Sequence, residues 1–230
     1  MLQRDKDIYA SVPMRRLHSE QMRVMQADLQ RCSGTHALQL GVAGTDNPPA
    51  LTSLGCWARL WIHEKCYRGD LYAAVDEPLP FLDDAFELVL LRHVLEVVPA
   101  PSALLAEAMR VLAPGGMLAL TGLHPFGGWA PWLLWKRRGS SGGMQLPLQL
   151  RSTLQQQGFD IELIQRVGRV WPGADASSEH VPETNFLGGG YVIVARKRRR
   201  MSTPLRVKPK PVTIPVNSGF SPGTRRSASS

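Results

Sequence analysis

The stretch "LPFLDDAFELVLLRHVLEVVPAPSALLAEAMRVLAPGGMLALTG", Leu79 to Gly122, constrains the fold more than any other part of the chain. "FELVLLRH" (Phe86–His93) is almost wholly apolar, as a strand covered on both faces of a parallel sheet must be. "PAPSALLAEAMRVLAPGG" reads as one helix. Ser102 can cap its start, and Glu107 and Arg110 lie outside. Leu104, Leu105, Ala108, Val111 and Leu112 form an apolar stripe, and Pro114-Gly115-Gly116 ends it. "MLALTG" (Met117–Gly122) is the next buried strand. A helix that joins two buried parallel strands forms a right-handed crossover unit.

Elements of the same kind flank this unit. A helical pattern runs from Pro13 to Arg31, with Met14, Leu17, Met22, Met25 and Leu29 roughly on one face. Short apolar runs at Ala37–Val42, Leu60–His63 and Leu71–Val75 are candidate strands. Leu146–Gly158 reads as a helix with Gly158 at its C-cap. Phe159–Val167 and Gly189–Lys197 read as two strands with no helix between them, hence an antiparallel hairpin at a sheet edge. The alternation predicts an α/β fold with a doubly wound, mostly parallel sheet that ends in a C-terminal hairpin.

Of the 230 residues, 43% are hydrophobic, enough for a sizeable core. The net charge of +8 is unevenly placed. Residues 196–230 hold ten Lys and Arg and no Asp or Glu, whereas residues 1–195 hold seventeen basic and nineteen acidic side chains. We therefore expect a domain over 1–195 and a basic, Pro/Ser/Thr-rich tail over 196–230 that does not fold alone. Such a tail is read as a solvated terminus; nucleic-acid binding through it is the less favoured reading, since no aromatics are interleaved to stack on bases. Cys32, Cys56 and Cys66 are too few for a disulfide framework. No signal peptide or membrane-length apolar run is visible, so a cytoplasmic location is expected.

The central block resembles the signature of class I S-adenosylmethionine-dependent methyltransferases of the type 11 subgroup. The match lies in Leu79-Pro80-Phe81, Asp84–Phe86, His93–Val97 and Arg110–Gly116, in family order. A weaker resemblance covers Ala37 to Lys197. It implies a seven-stranded Rossmann-like methyltransferase fold, S-adenosylmethionine as cofactor, and transfer of a methyl group to an acceptor that no residue discloses.

The resemblance also implies a cofactor site. The loop after the first strand would bring backbone N–H groups to the cofactor, and glycines there permit close approach. The aligned residues are Gln39-Leu40-Gly41-Val42-Ala43-Gly44-Thr45. Gly41 keeps the first glycine. Ala43 and Thr45 replace the next two, with Gly44 between them, and Gln39 stands where the family has an acid. Losing that charge-assisted contact costs roughly 1.5–3 kcal/mol if nothing compensates. Glu64, after the second strand, is the candidate for the ribose hydroxyls. Asp76, with Glu77 as its rival, is the candidate for the adenine amino group, although only two residues separate Asp76 from "LPF".

Arg92 and His93, at the end of the next strand, complete the expected cofactor set. His93 and His124 are weak candidates for a catalytic base, near an ordinary pKa of about 6.5. His93 reads more readily as a structural residue at a helix start. Methyl transfer from a sulfonium often needs only orientation and exclusion of water. Trp129, Trp132 and Trp135, spaced three apart, read as one helical face of aromatics with a basic edge of Lys136, Arg137 and Arg138: packed core, a lid, or a membrane-surface anchor. Cys56, His63 and Cys66 lack a fourth ligand, so no metal is expected. Two functions stay open: an active methyltransferase, and a catalytically silent binding or scaffold relative whose cofactor loop has decayed. The oligomeric state is open too.

Overall fold

A computed structural model describes residues 8–42, 47–137, 143–172 and 188–199. Helix α1 (Val12–Gln30) precedes strands β1 (Gly34–Gly41), β2 (Leu54–His63), β3 (Cys66–Gly69), β4 (Ala73–Ala74) and β5 (Phe86–Arg92). A 3-10 turn (Val94–Glu96) leads to α2 (Pro101–Val111), β6 (Leu112–Leu123), α3 (Trp129–Arg137), α4 (Pro147–Gln156), β7 (Phe159–Val167) and β8 (Gly190–Lys197). The strands form one eight-stranded sheet in the order β4-β3-β2-β1-β5-β6-β8-β7.

Its centre is parallel, as expected. β1 pairs in parallel with β2 and β5, and β5 with β6. β8 then pairs antiparallel with both β6 and β7, which makes the expected hairpin edge. The sheet has eight strands rather than seven because the chain doubles back after β2. β2 and β3 form an antiparallel hairpin with His63 opposite Cys66. The expected strand at 71–75 shrinks to Ala73–Ala74, paired with β3. β3 alternates Tyr67 inside with Arg68 outside, a strand too short and too charged to stand out in sequence.

Strand alternation gives the sheet two apolar faces. On one, Leu38, Leu40, Val89, Leu91, Leu118, Leu120 and Ile193 meet Leu104, Leu105, Ala108 and Val111 of α2 and Leu150 and Leu154 of α4. On the other, Ala37, Leu88, Leu90, Met117, Ala119, Val192 and Val194 pack with Met25 and Leu29 of α1. Burying one such Leu contributes about 1.5–3 kcal/mol.

α2 starts two residues earlier than a Ser102 cap would place it. Pro101 occupies the first turn, where its fixed φ suits the helix and its missing N–H costs nothing. The chain is already extended at Leu112, so Pro114-Gly115-Gly116 lies in the first part of β6. Arg110 fixes the preceding turn: it donates to the carbonyls of Leu79 and Phe81 and to Glu107 and Asp83. β8 runs two residues past the expected boundary at 195. Arg196 pairs with Glu162 on β7, and the Lys197 ammonium donates to Asp84, to the Met109 carbonyl of α2 and to the Leu112 carbonyl that follows it.

Candidate active site

The parallel strands β1, β2, β5 and β6 all end at one edge of the sheet, where ligands of open α/β folds bind. At the β2 end lies a cleft of about 300 Å3 lined by Ile62, Glu64, Lys65, Val75, Asp76, Val97, Val98 and Pro99. Glu64 sits in the β2–β3 turn, in the left-handed region (φ 60°), which costs a non-glycine residue roughly 1–2 kcal/mol. Asp76 follows β4. Two carboxylates from separate turns thus share one rim, and valines and Ile62 form the walls. Such a pairing suits a ligand with a flat apolar body and several hydroxyl or amino donors. Glu77 is exposed and does not line the cleft.

Beside it is a polar cluster with almost no solvent. His93 also has positive φ (54°) and is fully buried. Its backbone N–H donates to the Thr121 carbonyl at 3.0 Å. Its Nε2 lies 2.8 Å from Gln21 Oε1, and its Nδ1 lies 3.3 Å from Glu96 Oε1. Glu96 also accepts from the Tyr9 hydroxyl at 2.7 Å and from the Leu123 backbone N–H. The Gln21 amide donates to the carbonyls of Gly122 and Tyr191, 3.2 Å each. The His18 ring lies 4.6 Å from that of His93, tilted by 36°. Burial, then the charges of His93 and Arg92, holds the His18 imidazole well below its ordinary value. His93 is thus walled in, with both ring nitrogens engaged, and cannot meet a ligand without rearrangement of α1.

His124, just past β6, is partly exposed. Its Nδ1 lies 3.1 Å from the Phe126 backbone N–H, and burial followed by the Arg166 charge lowers its pKa.

Residues 56–120 match the family model described as "Methyltransferase domain". A protein of Mycobacterium marinum called an uncharacterized methyltransferase is 43% identical over 63 residues, 26% of this chain and 25% of that one. A protein of Mycobacterium avium bearing the same name matches to the same extent. The chain therefore spans about a quarter of the length of the curated relatives it matches. Among solved structures, an S-adenosylmethionine-dependent methyltransferase of Thermotoga maritima superposes with a TM-score of 0.57 at 14% identity, over 84% of this chain and 95% of that one. One from Mesorhizobium loti gives 0.50 at 15% identity, over 77% and 98%.

The chain has the Rossmann-like fold of S-adenosylmethionine-dependent methyltransferases.

Within that fold the expected site residues separate into three groups. Glu64 and Asp76 come together at the cleft. Gly41 ends β1, opposite Trp61 of β2, and Val42 follows, 2% exposed; Ala43 and Gly44 lie outside the described residues. Arg92 and His93 are buried deeper. Arg92 Nη1 donates to the Asn47 carbonyl at 3.5 Å, which ties the end of β5 to the stretch between β1 and β2. Gln39 is 3% exposed and sits between Leu38 and Leu40, so it belongs to the sheet face that α1 covers. Ile62, in the cleft, belongs to the other face. Cys56 lies seven residues up β2 from His63, about 23 Å away in an extended strand.

Sequence reasoning missed Lys65, Val97 and Val98 in the cleft, and Tyr9 and Gln21 in the polar cluster. The one visible signal was Glu96, an acid inside the apolar run "HVLEVV".

Proposed function

We propose that this chain is a methyltransferase that holds S-adenosylmethionine in the cleft at the end of β2. The observation that carries this reading is the shared rim of Glu64 and Asp76, the two carboxylates the family resemblance assigns to ribose and adenine. When bound, the cofactor supplies a methyl group made electrophilic by its sulfonium. Glu64 accepts from the ribose hydroxyls, Asp76 accepts from the adenine amino group, and Val97 and Val98 cover the base. The polar cluster of His93, Glu96, Gln21 and Tyr9 works as scaffold: it locks α1 over the strand ends and keeps water out. The acceptor enters past β6, where His124 is accessible and largely neutral at pH 7.

Methyl-labelled S-adenosylmethionine, incubated with the protein and an extract from a strain lacking it, tests this reading. Label should appear in an extract component, and at a limiting cofactor concentration a Glu64→Ala protein should label that component about tenfold less. Equal labelling with and without the protein contradicts it.

A second reading has one observation in its favour. Gln39 is neutral and faces away from the cleft, so the side chain that usually holds the cofactor's ammonium is missing. A silent binding protein would take up S-adenosylhomocysteine and transfer nothing.

A further inference from the structure

α3 is apolar on two sides. Trp129, Ala130 and Leu133 are buried against the body. Pro131, Leu134 and Trp135, at positions i, i+3 and i+4, form an outward stripe, with Leu134 64% and Trp135 60% exposed. Three tryptophans three apart do not share a face, because each step falls about 60° short of a full turn. Trp129 is therefore core and Trp135 is surface. A helix apolar all round, when one side faces water, calls for a second apolar environment.

The start of the same helix repeats the pattern. Phe126 is 72% and Trp171 59% exposed. Trp171 packs on Gly128, at a spacing that a Cβ would not allow. Trp129 ties this turn to α3 through its indole N–H, which donates to the Arg169 carbonyl at 2.8 Å.

The charges around these side chains are mostly positive. The Lys136 ammonium lies 5.4 Å from the Trp135 ring centroid, and Arg16, Arg166 and Arg169 flank the other end, with Glu20 as the acid beside them. Burial pushes the Glu20 carboxyl upward. In sequence, Arg137 and Arg138 extend the run.

We infer that α3 and the 168–172 turn dock on an anionic lipid surface. Aromatic and aliphatic side chains enter the headgroup boundary while cations at the rim meet the phosphates. A second copy of this chain fits poorly, since two cationic rims would repel. Phe126, Trp135 and Trp171 would also stack on bases, but the aliphatic Pro131 and Leu134 beside them favour lipid. The docked face lies at the strand-end edge that also carries the cleft.

Sedimentation of the full-length protein with large vesicles tests this. Vesicles of phosphatidylcholine and phosphatidylglycerol in equal parts should carry the protein down, and phosphatidylcholine alone should not. The double variant Leu134→Ser, Trp135→Ser should lower partitioning about tenfold or more, with an unchanged melting temperature because both side chains are exposed. Lys136→Glu should weaken partitioning at low salt, and its difference from wild type should shrink as salt is raised. No partitioning into mixed vesicles overturns the inference. So does equal binding to neutral vesicles, wild-type partitioning of the double variant, or retention by RNA without retention by lipid.

Discussion

The Tyr9 hydroxyl donates to Glu96 Oε2 at 2.7 Å, joining residues 87 positions apart in a site without solvent. Glu96 in turn holds the His93 ring and the Leu123 backbone, so one carboxylate links the N-terminal segment, the turn after β5 and the end of β6. Tyr9→Phe keeps the ring and removes one donor. A hydrogen bond to a charged group contributes roughly 1.5–3 kcal/mol. We predict a loss of that size in urea unfolding, without a change in the slope of the transition. A loss under 0.5 kcal/mol would mean that the link is incidental.

Glu64 and Asp76 are exposed, so replacing either with Ala should leave the melting temperature within about 1 °C. S-adenosylhomocysteine affinity should fall about tenfold for each, the effect of losing one good hydrogen bond of about 1.4 kcal/mol. Glu77→Ala serves as control and should change neither.

The pH dependence of stability follows from His18. Burial holds its folded pKa below the ordinary 6.5. In acid the unfolded chain takes up a proton there that the folded chain does not, so unfolding binds a proton. Its contribution is complete above about pH 6.5 and is lost as pH falls below that value. The urea midpoint should drop between pH 7.5 and 5.5, and His18→Gln should flatten the drop. An equal drop in both proteins would assign the effect to other groups.

Arg110 closes the turn before β5. It donates to two carbonyls and two carboxylates. The Arg110 hydrogen bond holds Glu107 below the usual carboxylate range. Arg110→Met keeps the stem and removes the donors. We expect about 2–3 kcal/mol of destabilisation, because the Leu79 and Phe81 carbonyls lose partners in a partly buried turn.

Much of this architecture was legible in sequence, for identifiable reasons. β5, α2 and the β7–β8 hairpin carry strong periodicity and hard stops, and each lies within a residue or two of expectation. β3 was not legible: four residues with Arg at one inward–outward step give no pattern. The cleft was half legible. Glu64 and Asp76 stand at motif positions, but Val97 and Val98 read only as helix-start apolar residues. The polar cluster was hidden because Tyr9 precedes α1 and Gln21 lies within it, in a segment with no motif, and only folding places them beside His93. The aromatic row on α3 misled because a three-residue spacing drifts around a helix.

The central claim is that the Glu64–Asp76 cleft accepts the adenosine end of the cofactor, and a thermal melt with S-adenosylhomocysteine tests it most directly. At a hundredfold excess over its dissociation constant the ligand should stabilise the wild-type protein by about 2.7 kcal/mol, and it should stabilise the Glu64→Ala, Asp76→Ala double variant far less. An identical melting temperature with and without millimolar ligand, or the same shift in both proteins, would contradict the account.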